Sequence, residues 1–281
     1  MELAPEPVEI VAIARPGSDP PVKREGVEWL ECDLAERSFK RRLPGEVDAV
    51  VHLAQSPRDR DFPEGTEDVL DLAVGATARL LDHARRNDIP RFVLASTASL
   101  YARSDRPLRE DSELDCSSFY PAAKRSAELL VGAYGGLLSG LALRIFTLYG
   151  PGQRTRLIAD LVRRVRAGEP VELEGDRGLL LSPLYVDDLA GAIHGLLGAD
   201  DGAAGLELVN VAGDEALGIR ELAERIGEAV GTEPVFETVS DPAPGGLVAD
   251  CTKLRRLLPD FRPTPFEAGI REMVSADAGS G

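Results

Sequence analysis

Tyr120 and Lys124 are the residues of this chain best suited to moving a proton. They stand four apart in Ser117-Ser118-Phe119-Tyr120-Pro121-Ala122-Ala123-Lys124, and on a helix residues at that spacing share a face. Pro121 fits a first helical turn, where a missing N–H costs nothing. Ala122-Ala123 and Ser126-Ala127-Glu128-Leu129-Leu130 carry the helix onward. An ammonium held near a phenol favours the phenolate and lowers the tyrosine pKa from its ordinary ~10. The result is an acid–base group usable near neutral pH. Alone the pattern is weak, because a Tyr and a Lys one turn apart coincide readily by chance.

A second group strengthens it. Arg91-Phe92-Val93-Leu94-Ala95-Ser96-Thr97-Ala98-Ser99 is a short apolar run ending in hydroxyls. It reads as a buried parallel strand that presents Ser96, Thr97 and Ser99 at its carboxyl end. Open α/β sheets bind their ligands at that end. Strand-end hydroxyls followed by Tyr-x-x-x-Lys resemble the Ser/Thr–Tyr–Lys triad of the extended short-chain dehydrogenase/reductases. Within that group the resemblance is to the NAD-dependent epimerase/dehydratase branch, which acts on nucleotide sugars.

Other elements must hold these groups in place. Val8 to Ala14, Val27 to Leu34, Val47 to Ala54 and Leu206 to Val211 read as strands, and so does the run from Leu141 that leads into Tyr149-Gly150-Pro151-Gly152. Val69 to Arg86, Leu157 to Arg166 and Ile219 to Val230 read as helices, and Thr264 to Met273 belongs to the closing helices. The resemblance spans residues 8–275. It implies an α/β fold, a Rossmann-like doubly wound parallel sheet with a smaller C-terminal substrate-side lobe. The dinucleotide-binding part would be residues 1–150 plus about 184–211. The lobe would be about 151–183 and 212–275, and 276–281 a tail.

The same resemblance assigns roles. Tyr120 exchanges the hydroxyl proton, Lys124 binds the cofactor ribose and tunes Tyr120, and Thr97 (or Ser96) bonds the reacting oxygen. Ser96, Tyr120 and Lys124 also touch the cofactor, NAD or NADP. Leu53, Ala54, Gln55 and Ser56 follow the cofactor towards its pyrophosphate, and Asp33 and Leu34 meet the adenine. Asp33 reads equally as an N-cap. Arg15 leans towards NADP, since an arginine there accommodates a 2′-phosphate; a solvated loop arginine is the equal alternative. Phe146 and Thr147 sit where the family holds the nicotinamide amide, and Ser99, Thr147 and Arg154 would meet the substrate. His52 reads as a satisfied strand-end histidine. Asp187 and Asp188, in Tyr185-Val186-Asp187-Asp188-Leu189-Ala190, read as helix-start residues. No metal is implied, and a homodimer through the triad helix and the helix before it is expected.

The chain departs from the family in several places. No strand, Gly-x-x-Gly-x-x-Gly turn and helix precede Val8, although such glycines bring backbone N–H groups to a pyrophosphate. Gly132-Ala133-Tyr134-Gly135-Gly136 follows a helix and is no substitute. The missing strand is the centre of the 3-2-1-4-5-6 order. The first two strands must therefore pair directly with the third, leave exposed edges, or borrow a strand. Either the natural start lies upstream of Met1 or the chain is a shortened member with a rebuilt cofactor side. The family's Asn is replaced in Leu72-Ala73-Val74-Gly75-Ala76, and again by Thr147. Leu179 to Pro183 and Asp241 to Gly246 lack the expected arginines, leaving Arg154, Arg156 or Arg177 to substitute. Ala98-Ser99 stands where sugar 4,6-dehydratases carry Asp-Glu, which favours simple redox or epimerase chemistry.

Composition sets outer bounds. The 281 residues are 43% hydrophobic and 28% charged, which suits an ordinary globular protein with ample core. A net charge of −16 argues against nucleic-acid binding. Cys32, Cys116 and Cys251 lie far apart and read as reduced thiols of a cytoplasmic protein. Neither a leader nor a membrane span is legible. The expectation is an NAD(P)-dependent oxidoreductase or epimerase acting on a nucleotide sugar or another small hydroxyl or keto compound. A non-catalytic binding or regulatory homologue of the same fold is the alternative.

Overall fold

The structure is a computed structural model that describes residues 8–17, 26–36, 38–199, 204–241 and 245–278. It begins with β1 (Ile10–Ala14) and β2 (Val27–Glu31), a parallel pair with Ile10 opposite Val27 and Ala14 opposite Glu31. Then come β3 (Ala49–His52), α1 (Thr66–Leu70), a π-helical stretch (Asp71–Ala76) and α2 (Thr77–Arg86). β4 (Arg91–Thr97), α3 (Phe119–Ala133) and β5 (Ser139–Ile145) form the centre. After β6 (Leu148–Tyr149) the chain runs through α4 (Leu157–Ala167), β7 (Val171–Glu174), β8 (Leu180–Leu181) and β9 (Leu184–Tyr185). It continues through α5 (Val186–Ala199), β10 (Gly205–Val211), β11 (Leu217–Gly218), α6 (Ile219–Val230) and β12 (Phe236–Ser240). α7 (Thr252–Leu257) and α8 (Phe266–Ala278) close it.

The central sheet is parallel, in the order β10-β5-β4-β3. β4 is apolar along most of its length because both its faces are covered. Phe92 and Leu94 join Leu80, Leu81, Ala127 and Val131 on the side of α2 and α3. Val93 points the other way, towards Leu189, Ile193 and Leu196 of α5. A separate apolar cluster holds α4, α6 and α8 together through Ile158, Leu222, Ile270 and Met273. α4 and α6 end on Gly168 (φ 66°) and Gly231 (φ 73°), a left-handed conformation that other residues adopt at a cost.

The first two strands do not join that sheet. Among the described residues no ladder links β1 or β2 to β3, so of the three arrangements open to the sequence the chain takes the one with exposed edges. Val8, Ile10, Val51 and Leu53 are exposed in consequence. The β1–β2 ribbon is fastened by side chains instead. Cys32, Leu34 and Phe39 pack into the cluster under α2. Arg79 donates to the Leu34 carbonyl at 2.9 Å, Lys40 pairs with Asp82 at 2.8 Å, and Arg15 reaches Asp68 at 3.2 Å.

Smaller differences lie at element ends. β1, β2 and β3 are shorter than their apolar runs, and α8 continues to Ala278, through part of what reads as a tail. The segment 242–244, which bears on the missing arginines, lies outside the described residues, as do residues 1–7. The three cysteines are free, and among the described residues no helix is long and apolar enough to cross a membrane.

Candidate active site

α3 lies across the carboxyl half of β4 and presents Tyr120, Lys124 and Glu128 in one stripe, each a turn below the last. Each meets a different part of the strand. The Tyr120 hydroxyl lies near the side chains of Thr97 and Gln55, which both favour its ionised form. Lys124 Nζ donates to the Ala95 carbonyl at 2.9 Å and sits 6.0 Å from the Tyr120 ring centroid. Glu128 accepts from Ser96 Oγ at 2.6 Å. Thr97 stands at the lip of the strand, where its Oγ1 accepts from the Ser99 N–H at 3.1 Å.

Two expectations are corrected here. Tyr120 is not lowered by Lys124; its pKa is pushed up to about 12, first by burial and then by the negative charge of Asp59. The nearby Thr97 side chain, the charge of Arg156 and the Gln55 side chain oppose this without overcoming it. Lys124 is itself driven down to about 8 by burial. The phenol is therefore protonated at neutral pH, a proton donor at rest. Ser96 is not a second strand-end hydroxyl of the cleft. Side chains alternate along a strand, so Ser96 faces the underside of α3 and is 4% exposed there.

Ser96 belongs instead to a buried ionic network. Arg144, 1% exposed, bonds Glu128 through Nε (3.0 Å) and Nη2 (2.9 Å), and its Nη1 donates to the Glu110 carbonyl at 3.0 Å. Its guanidinium lies 4.9 Å from the Tyr101 ring centroid, and the Tyr101 hydroxyl donates to Asn210 Oδ1 at 2.6 Å. Sequence reasoning missed this network although a signal was present. Glu128 continues the Tyr120–Lys124 stripe, and Arg144 interrupts an apolar strand. Charged residues on buried faces are almost always paired.

The remaining wall of the cleft comes from loops. Between β3 and α1 the chain packs on α3 through Phe62 and Phe119, ring centroids 5.4 Å apart. It carries Asp59, whose Oδ2 accepts from Gln55 Nε2 at 2.9 Å and from Arg156 Nη1 at 2.7 Å. Arg156 follows β6 and opens α4. Arg154, on the same loop, is exposed. Gln153 Nε2 donates to the Leu148 carbonyl at 3.0 Å, while its buried Oε1 has no hydrogen-bond partner.

Other expected residues fall in varied places. Arg15 is held between Asp33 (3.4 Å) and Asp68 (3.2 Å). Asp33 also accepts from the Ala35 N–H at 2.9 Å, the local bond of a turn rather than of a long helix start. Ser56 donates to Asp68. Leu53 is exposed and Ala54 half-buried beyond β3. The Leu34 and Phe146 side chains are core rather than cleft: Leu34 packs under α2, and Phe146 stacks on Tyr101 at 6.0 Å. Thr147 is half-buried, its carbonyl accepting from Leu184 N–H, and Ser99 is exposed. His52 is kept neutral, its pKa lowered to about 4 by burial and then by the Lys124 charge. Its Nε2 donates to the Leu72 carbonyl of the π-helical stretch at 3.3 Å. Asp188, at the start of α5, accepts from the Thr264 N–H at 2.8 Å and its hydroxyl at 2.9 Å. Among the described residues no cluster could hold a metal ion.

The two strand-end hydroxyls now separate by experiment. Thr97→Val is expected to cut turnover roughly 10²-fold, the loss seen when a donor to a reacting oxygen is removed. Ser96→Ala is expected to keep turnover and cost about 1–3 kcal/mol of stability, through the unmet Glu128 acceptor. Steady-state kinetics and urea unfolding of both variants check this.

Known proteins resemble this chain in sequence and in fold. A UDP-glucuronate 4-epimerase of Thermodesulfobacterium geofontis is 29% identical over 263 residues, 90% of this chain and 80% of that protein. The low-salt glycan biosynthesis protein Agl12 of Haloferax volcanii is 33% identical over 255 residues, 88% and 80% of the two chains. Among solved structures, MoeE5 in complex with UDP-glucuronic acid and NAD superposes with a TM-score of 0.81 at 28% identity, covering 97% of this chain and 92% of MoeE5. The UDP-glucose 4-epimerase of Thermus thermophilus in complex with NAD gives 0.79 at 25% identity, covering 96% and 91%. The fold is thus Rossmann-like α/β. The family pattern itself matches residues 1–212, and the chain belongs to the NAD dependent epimerase/dehydratase family.

Proposed function

We propose that this chain interconverts hydroxyl and keto forms, or epimers, at one carbon of a nucleotide sugar, with Tyr120 as the proton-transferring group. The observation that carries the reading is Tyr120 one helical turn from a buried Lys124, whose Nζ lies 6.0 Å from the Tyr120 ring centroid and bonds the β4 carbonyl of Ala95, with Thr97 near the phenol. The residues present fit the nicotinamide–ribose end of a dinucleotide: Thr97, Tyr120 and Lys124 converge there, and the orphaned acceptor Gln153 Oε1 suits a donor from a bound ligand. Arg15, Asp33, Gln55 and Ser56 would hold the remainder. When bound, the dinucleotide supplies the hydride acceptor and donor.

The chain's own residues handle the proton. Tyr120 donates from its phenol to the oxygen of a carbonyl under reduction, and Thr97 Oγ1 fixes that oxygen. In the reverse direction Tyr120 takes the hydroxyl proton, and the Lys124 ammonium, charged at pH 7, stabilises negative charge on the phenolic side. The carboxylates on Arg15 already meet its charge, so we take NAD over NADP. Leu70 of α1 and Leu129 of α3 are exposed and suit a homodimer, which sedimentation velocity checks.

Incubation of the purified chain with NAD and UDP-hexoses, followed by NMR, is expected to yield one altered sugar carbon. Unaltered sugars with cofactor bound would refute the reading. The split sheet favours a second one, a homologue that keeps the fold without turnover. Titration with NADH and NADPH separates them: micromolar NADH binding supports the enzyme, and absence of binding at millimolar cofactor supports the rival.

A further inference from the structure

The Asp59–Arg156 pair lies outside the triad yet touches its working end. Asp59 is 6% exposed at its side chain, and its Oδ2 takes both Gln55 and Arg156. The negative charge of Asp59 acts on the Tyr120 phenol, and the loop that carries it packs next to Tyr120 through Phe62 on Phe119, so a carboxylate stands close to the reacting oxygen. Oδ1 accepts no hydrogen bond among the described residues. Arg156 comes from the loop after β6, so the pair also closes the cleft between the sheet and the lobe.

Charge then discriminates among sugars. A carboxylate on the carbon beside the reacting one would bring a second anion against Asp59, in a site where burial weakens solvent screening. It could take Arg156 from Asp59 only by leaving Asp59 buried with Gln55 as its remaining partner, and an uncompensated buried charge is strongly disfavoured. A hydroxyl there meets no such conflict and can donate to Oδ1. We propose that the sugar taken by this site is a neutral hexosyl group, bearing a hydroxyl rather than a carboxylate next to the reacting carbon, and that Asp59 is the specificity-determining residue. This rests on the nucleotide-sugar reading above.

The test is calorimetric binding of UDP, UDP-glucose and UDP-glucuronate to the full chain in the presence of NAD. The wild-type chain is expected to bind UDP-glucose at least tenfold more tightly than UDP-glucuronate. Asp59→Asn keeps the shape and releases Arg156, and should level or invert that ratio with UDP affinity unchanged. Arg156→Gln removes the cation and should widen the ratio, and circular dichroism confirms that both variants fold. Equal or tighter uronate binding by the wild type overturns the assignment, and so does a ratio indifferent to Asp59→Asn; exposed Arg154 would then be the carboxylate's partner. If UDP itself does not bind, the nucleotide-sugar reading falls and takes this inference with it.

Discussion

Tyr120→Phe is expected to lower turnover by roughly 10²–10⁴-fold, the range for a positioned proton-transfer group, with cofactor affinity nearly unchanged. The ring remains to fill its place beside Lys124, and only the hydroxyl is lost. The variant should also fold as well as the parent, since a phenol whose pKa is driven up to about 12 by burial gives no charge interaction at pH 7. Kinetics with saturating cofactor, beside a cofactor titration, separate the outcomes. Undiminished turnover would remove Tyr120 from the reaction, and a parallel loss of cofactor binding would make its role one of fit.

The largest stability effect is expected at Arg144. Arg144→Met strips Glu128 of its principal partner while Glu128 is fully buried, and breaking such a pair from one side costs about 3–5 kcal/mol. The double variant Arg144→Met, Glu128→Leu should recover much of that, because no buried charge is then left alone. Urea unfolding of both singles and the double measures the coupling. The pH dependence has a definite sign. Burial alone would raise the Glu128 pKa, but hydrogen bonds from Arg144, Ser96 and Arg125 overcome it and hold it below the ordinary carboxylate value. The contribution is therefore complete above that ordinary value and is lost as the pH falls through the depressed one. A single variant no less stable than the parent would show that the pair is dispensable.

The parts of the fold legible in sequence are those where periodicity and burial agree. The apolar run at Phe92–Leu94 is a strand covered on both faces, and Ile219–Val230 is a helix to the residue. The Tyr120–Lys124 spacing puts both groups where the sequence places them. Their ionisation was not legible, because it depends on how deeply α3 seats on β4 and on Asp59, which reaches the site through an irregular loop. Loop residues carry no period, and the meeting of Gln55, Asp59 and Arg156 exists only once the cleft is folded. Ser96 shows the same limit in reverse. Type and position suited it to catalysis, and the parity of the strand turned it beneath the helix.

The ribbon of β1 and β2 has a consequence for dynamics. Its bonds to the rest of the molecule run through Arg15, Lys40, Arg79 and a few buried side chains, with no backbone ladder to β3 among the described residues. Such a unit opens at a lower free energy than the whole fold. Amide hydrogen exchange should show β1 protected less than β4 and β5 in the free chain, the two rates converging when a ligand bridges the ribbon and α3. Uniform protection in the free chain would mean that the two sheets unfold as one. Occupancy of the cleft would thus be recorded as order in a segment far from the reacting carbon, and the ribbon would act as the molecule's own reporter of its bound state.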